Sequence, residues 1–206
     1  MKKLIFTLII FSLCNFNNAF ALDLPWQNKP IEEQETTDIS SEQAKVLYAQ
    51  NEIDGALKLL TDKGEAYRSA EDWLLIGNIL QDKDKLNEAS YMFKKSIEKN
   101  PKYYKAHYNL GYIYLLQDRP NMAIEEFKKA VKYKDNFAFG YYNMGCAYLK
   151  LKNYGSAKYN FFRAIDAKND EPSFYYNLAY AYKKMGKEKQ AQTYLDIYNK
   201  LNERNN

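Results

Sequence analysis

The chain has 206 residues and a formal net charge of +4, with 46% hydrophobic and 16% aromatic residues, ample apolar material for a packed core. With two cysteines and one histidine there is no Cys/His cluster of zinc spacing, and an internal disulfide is excluded once Cys14 is assigned to a leader, leaving Cys146 alone. Lysines are spread among acids along most of the chain, which is the solvated face of helices and not the basic stripe of a nucleic-acid binder.

Lys2 and Lys3 precede an apolar run from Leu4 to Leu13, and Ala19-Phe20-Ala21 offers small residues at both positions that a signal peptidase reads. Residues 1–21 therefore read as a secretory signal peptide of bacterial type, with cleavage after Ala21 and export to the periplasm. The alternative is an uncleaved leader serving as an inner-membrane anchor, but a spanning helix needs roughly 20 apolar residues. Membrane contact is expected only through that leader. Residues 22–36, LDLPWQNKPIEEQET, hold two prolines and little periodicity and are expected to form a flexible acidic arm. Residues 22–43 carry six acids and one base.

From Ala70 onward, phrases return every 34 residues: NLGYIY at 109–114, NMGCAY at 143–148 and NLAYAY at 177–182. Units of 70–103, 104–137, 138–171 and 172–205 align column by column. The eighth column is Gly77, Gly111, Gly145, Ala179. The eleventh is Leu80, Tyr114, Tyr148, Tyr182. The twentieth is Ala89, Ala123, Ala157, Ala191, the twenty-fourth Phe93, Phe127, Phe161, Leu195, and the twenty-seventh Ser96, Ala130, Ala164, Tyr198. Both halves of each unit space apolar residues three and four apart, so each half predicts an amphipathic helix. Polar breakers around Asp84, Asp118 and Lys152 separate the halves, and Pro120 suits a first helical turn. Upstream, Ala44 and Ala56 repeat the spacing of Gly77 and Ala89, with Leu47 and Leu60 in the eleventh and twenty-fourth columns. Residues 37–69 thus read as a degenerate unit, with Ser40 and Gln43 predicting a capping box at its start.

This pattern resembles the tetratricopeptide repeat family, whose signature is met in the first full unit by Trp73, Gly77, Ala89, Phe93 and Pro101. The resemblance implies an all-α, right-handed superhelical solenoid of stacked helix-turn-helix repeats, with the first helix of each unit lining a concave groove. The fourth unit is divergent, with Ala179 and Tyr198 where glycine and a small residue are usual. No capping helix follows it, so Tyr194, Ile197, Tyr198 and Leu201 are candidates for an apolar docking edge that mediates self-association.

Nothing in the sequence assembles a catalytic constellation, and no cofactor is implied. His107 shares its column with Trp73, Tyr141 and Tyr175 and reads as a packing residue. The groove columns carry more information. The fifth holds Tyr108, Tyr142 and Tyr176, the sixth Asn109, Asn143 and Asn177, and the ninth Tyr112, Cys146 and Tyr180. Two readings of the asparagines stand: an amide ladder for a peptide backbone, which it can both donate to and accept from, or bonds to neighbouring helices. Some relatives grip terminal carboxylates with basic groove residues; here Lys105 stands beside Glu71, Phe139 and Ser173, so that set is not reproduced. The expectation is a non-enzymatic scaffold of the bacterial cell envelope that binds a protein or peptide segment, extended or helical, in the groove. A structural subunit held through its outer helix faces is the alternative.

Overall fold

The computed structural model describes the backbone of residues 31–204 and side chains from Ile39 onward. By backbone proximity the chain divides into Met1–Thr36 and Thr37–Asn206. The leader at 1–21 and residues 22–30 of the expected arm lie outside the described residues. Residues 31–36 are helical, so the arm as expected runs too far: its last six residues open a helix.

The described residues form helices and no strands. They are α1 (Ile31–Ala49) and α2 (Ile53–Asp62), then α3 (Ala70–Asp82) and α4 (Leu86–Lys99), α5 (Tyr104–Leu116) and α6 (Pro120–Tyr133), α7 (Ala138–Lys150) and α8 (Tyr154–Ala167), and α9 (Pro172–Lys184) and α10 (Glu188–Arg204). From α3 on, each helix packs on the next, and the first helices α5, α7 and α9 also touch their counterparts one unit away. This is a helical solenoid of stacked pairs, as the columns predict.

One backbone device ends every first helix. Asn51, Asp84, Asp118, Lys152 and Gly186 all have positive φ, between 57° and 72°, and all occupy the fifteenth column. The residue after each donates its N–H to the carbonyl of the eleventh column: Glu52 to Leu47, Lys85 to Leu80, Arg119 to Tyr114, Asn153 to Tyr148 and Lys187 to Tyr182. That left-handed cap satisfies carbonyls at the helix end and turns the chain back for the second helix. The same cap stands at Asn51, between α1 and α2. Pro120 and Pro172 begin α6 and α9. The expected capping box at Ser40 and Gln43 is not one, because α1 runs through both residues; the box sits instead at Ser69 and Asp72, at the start of α3.

Within a unit, the two helices are set by glycine against phenylalanine. A Cβ added at Gly77 would collide with the ring of Phe93; at Gly111 it would lie 2.8 Å from Phe127, and at Gly145 2.6 Å from Phe161. The units that carry alanine in the eighth column, at Ala44 and Ala179, are those with leucine in place of the ring, at Leu60 and Leu195. The small residue and the large one thus change together along this single chain.

Between units, the twenty-seventh column meets the third of the next unit. Ala164 packs with Phe174 in one cluster. At the first junction the same two places hold Lys63 and Asp72, whose side chains are 6% and 0% exposed and 2.7 Å apart. Burial pushes the Asp72 carboxyl up, but hydrogen bonds from Lys63, the Ser69 amide and Ser41 outweigh it and hold the group below its ordinary value. Lys45 reaches Glu71, Tyr48 donates to Asp82, and Lys83 reaches Asp54 across the same seam. The degenerate unit is therefore held by charge as well as by the apolar contacts of Ala44, Ala56 and Leu60.

Two outcomes follow from these contacts. Gly145→Ala should destabilise the chain by about 1–3 kcal/mol through overpacking, and by less than half of that in a Phe161→Leu background; equal costs in a denaturant-melt double-mutant cycle would contradict the ring contact. Asp72→Asn leaves Lys63 buried without its counter-charge and should cost about 3 kcal/mol at pH 7. A depressed carboxyl contributes fully above the unfolded value near ~3.9 and loses its contribution as pH falls through the lower folded value. The difference between wild type and Asp72→Asn should accordingly shrink in melts at pH 3 and below.

Candidate functional site

The fifth and sixth columns lie on the first helices, where equivalent residues return to one face. Asn143 Nδ2 donates to the Tyr108 hydroxyl at 2.8 Å, and Asn177 Nδ2 donates to the Tyr142 hydroxyl at 2.8 Å. Asn109 Nδ2 donates to Asn78 Oδ1 at 2.7 Å. Each amide thus bonds the preceding repeat. The expected peptide ladder is corrected here in favour of its alternative: the asparagines tie first helix to first helix. Asn143 is itself buried, which removes it from any surface.

Tyr108 and Tyr142 are half-buried as well. Tyr108 lies 5.0 Å from Phe137 and Tyr142 lies 4.8 Å from Phe174, ring centre to ring centre. Burial raises the Tyr108 hydroxyl and pushes that of Tyr142 to about 12, so both stay protonated at neutral pH. Burial likewise pushes the Cys146 thiol up to about 11, with Asn177 Nδ2 at 3.7 Å from the sulfur. That thiol is protonated and unsuited to nucleophilic work.

The aromatic side chains left open are others. Phe139 is 40% exposed, Tyr176 50% and Tyr180 42%, while Tyr112 is half-buried. The Lys45–Glu71 pair shows the ninth column of one unit facing the second column of the next. Tyr112 and Phe139 hold the same two columns at a later junction, and Phe139 itself meets Phe174 edge-on at 5.7 Å with Lys168 Nζ 5.2 Å from its ring centre. The exposure of Phe139 was legible in its column, beside the charged Glu71 and Lys105, but it was not among the expected groove residues.

The expected docking edge is also redrawn. Tyr194 stacks on Tyr182 with ring centres 5.5 Å apart and planes within 5°, and meets Phe162 edge-on. It belongs to the core of the last two units. Tyr198 leans on Tyr176 at 5.3 Å, and Ile197 and Leu201 are half-buried. The open feature at this end is a cavity of about 610 Å³ lined by Tyr176, Ala179, Tyr180, Ala191 and Leu195, with Lys183 and Lys184 at its rim. On the second-helix side, Tyr141, Tyr148, Tyr159 and Arg163 line a second hollow of about 430 Å³. There Arg163 donates to the hydroxyls of Tyr141 and Tyr159.

His107 is buried, with Nδ1 2.7 Å from Glu126 Oε2 and Nε2 2.9 Å from the Pro101 carbonyl. Each ring nitrogen thus lies within hydrogen-bond distance of an acceptor, Glu126 in the same unit and Pro101 at the end of the preceding one. Burial raises the Glu126 carboxyl, but bonds from His107 and Lys129 dominate and hold it below its ordinary value. Among the described residues no group of three or more His, Cys, Asp or Glu could hold a metal ion, and no helix is long and apolar enough to cross a membrane.

Asn143→Ala removes the donor to Tyr108 from a buried position and should cost about 0.5–1.5 kcal/mol, a fall in melting temperature of about 1–6 °C for a chain of this size. An unchanged melt would contradict the structural role assigned to the rung.

Residues 92–125 match one tetratricopeptide repeat model, straddling the junction of the first two full units, and residues 140–171 and 172–205 match another, coinciding with the third and fourth. Comparison with curated protein sequences finds no match. Among solved structures, MamA aligns with a TM-score of 0.74 at 23% identity over 83% of this chain and 94% of its own. MamA from residue 41 to its end, from Desulfovibrio magneticus RS-1, aligns with a TM-score of 0.74 at 17% identity over 82% and 96%. YrrB, a TPR protein with an unusual peptide-binding site, aligns with a TM-score of 0.70 at 21% identity over 83% and 89%. At these identities the likeness is one of fold. The chain carries tetratricopeptide repeats, stacked in the solenoid its 34-residue columns predict.

Proposed function

We propose that this chain is a non-enzymatic scaffold of the bacterial cell envelope that takes a protein or peptide segment, extended or helical, against the face of its first helices. The observation that carries the reading is the set of aromatic side chains on those helices that the array itself leaves exposed, Phe139, Tyr176 and Tyr180. Tyrosine and phenylalanine offer large area with little side-chain entropy to lose, and tyrosine adds a hydroxyl for a passing backbone. The fold likeness to YrrB supports the same class of ligand. Export rests on the Lys2–Ala21 segment.

Magnitudes set the affinity. The asparagine amides are engaged within the array, so binding depends on covering apolar area. Each fully covered ring contributes about 1.5–3 kcal/mol, against an association cost of roughly 4–15 kcal/mol. Three or four rings therefore offset little more than that cost, so binding is about micromolar at its tightest, suited to an exchanging partner.

A second reading, attachment through the outer helix faces, is favoured by the hollow at Tyr141, Tyr159 and Arg163. Affinity capture from the envelope of the native host, with partners identified by mass spectrometry, separates the two. Phe139→Ala combined with Tyr112→Ala should weaken capture at least tenfold and leave the melting temperature within a few degrees. Retained capture in that variant, together with its loss in Tyr159→Ala, would transfer the function to the outer face. In the same experiment the captured protein should begin at Leu22; a start at Met1 in the membrane fraction would favour the anchor.

A further inference from the structure

We propose that the face formed by α9 and α10 is a socket for α1 of a second copy, so that the chain stacks head to tail in the register of its own repeats. The inference shares Tyr176 and Tyr180 with the groove reading but commits them to a second copy of this chain, leaving Phe139 and Tyr112 to the groove. At the last interior junction, Tyr142, Cys146, Leu149, Ala157 and Phe161 are covered by Leu178, Ala181 and Tyr182 of the following unit. One repeat later the same places are Tyr176, Tyr180, Lys183, Ala191 and Leu195. Among the described residues no helix covers them, and they border the 610 Å³ cavity. The rung is open too. Tyr142 accepts from Asn177, whereas among the described residues no asparagine donates to its counterpart Tyr176, which leans on the ring of Tyr198.

The opposite end carries the matching half. A first helix enters the preceding unit with its third and tenth columns. In the tenth, Ile79, Ile113, Ala147 and Ala181 are all 0% exposed. In the third, Asp72, Ala106 and Phe174 are at most 1% exposed. Counting from Ala44 as eighth, the same places on α1 are Ile39 and Val46, which stand 63% and 54% exposed. These two side chains lie seven residues apart on one helical face. The ends are also opposite in charge. Residues 183–189 hold four lysines and one glutamate, and α1 itself holds five acids and one base. Unlike charges at the two ends favour this pairing and disfavour end-on contact between like ends.

A socket and a plug are different surfaces, so the contact is heterologous and open-ended: it builds linear stacks and not closed dimers. One helix seated on two is at the small end of protein interfaces. Assembly is thus concentration-dependent, in the micromolar range or weaker, and salt loosens it.

The test uses sedimentation of the purified chain over rising concentration. Wild type should grow past the dimer. Val46→Glu and Tyr180→Glu alter exposed side chains, so circular dichroism should be unchanged, and each alone should remain monomeric, with the association constant down at least tenfold. Each keeps one working end, so an equal mixture should give one-to-one dimers and nothing larger. A wild-type chain that stays monomeric at every concentration overturns the proposal and leaves the socket to another protein or to solvent. Association unchanged by either variant places the contact elsewhere, the leader included, and overturns it equally. A mixture that forms no dimer does so as well.

Discussion

The solenoid depends on one close approach, that of a phenylalanine ring on each second helix to the bare backbone of a glycine on the first. The rings of Phe93, Phe127 and Phe161 occupy the space where a Cβ would stand at Gly77, Gly111 and Gly145. That contact fixes how near two helices lie, and the fully buried alanines of the twentieth column keep the same gap. Where leucine replaces the ring, as at Leu60 and Leu195, alanine is admitted opposite it. Volume is conserved across the pair, as tight cores require. The left-handed cap at the fifteenth column then returns the chain at the correct point for the next approach. Aspartate, asparagine and even lysine occupy that conformation because the two cap hydrogen bonds hold it.

Junctions between units are less uniform, and their variety sets what the surface can do. The same two columns hold a buried ion pair at Lys63 and Asp72 and an alanine against a phenylalanine at Ala164 and Phe174. A charged seam attaches the degenerate unit in a way that responds to acid, because the Asp72 carboxylate is stabilised by the fold. The interior seams are cross-tied by Tyr108 with Asn143 and Tyr142 with Asn177. Those bonds engage within the array side chains that would otherwise suit a passing backbone. The rings that stay exposed on the first helices are those of Phe139, Tyr176 and Tyr180.

An array of this kind satisfies each unit only by means of its neighbours. Interior faces are covered, whereas the described array leaves Ile39 and Val46 open on α1 and Tyr176 and Tyr180 open on α9. The same physics that propagates the fold along the chain therefore provides surfaces at which it can continue into another molecule.

The periodicity of the sequence determined the helical pairs and the core columns. Those are local properties: helical spacing of apolar residues, a breaker between halves and a recurring size pattern, all visible along the chain. Tertiary structure alone decided the use of the polar residues. Asn143 and Tyr108 are 35 positions apart, and only stacking brings the amide to the hydroxyl, so along the sequence a groove ligand and a neighbouring helix both stood open as partners. The Ser40–Gln43 pattern matched a cap and lies within α1, because a capping box needs a helix end and nothing in those four residues creates one. Tyr194 turned inward because Tyr182 and Phe162 offered it faces to pack on. Periodicity specifies which residues share a face; what that face touches depends on the neighbour folded against it.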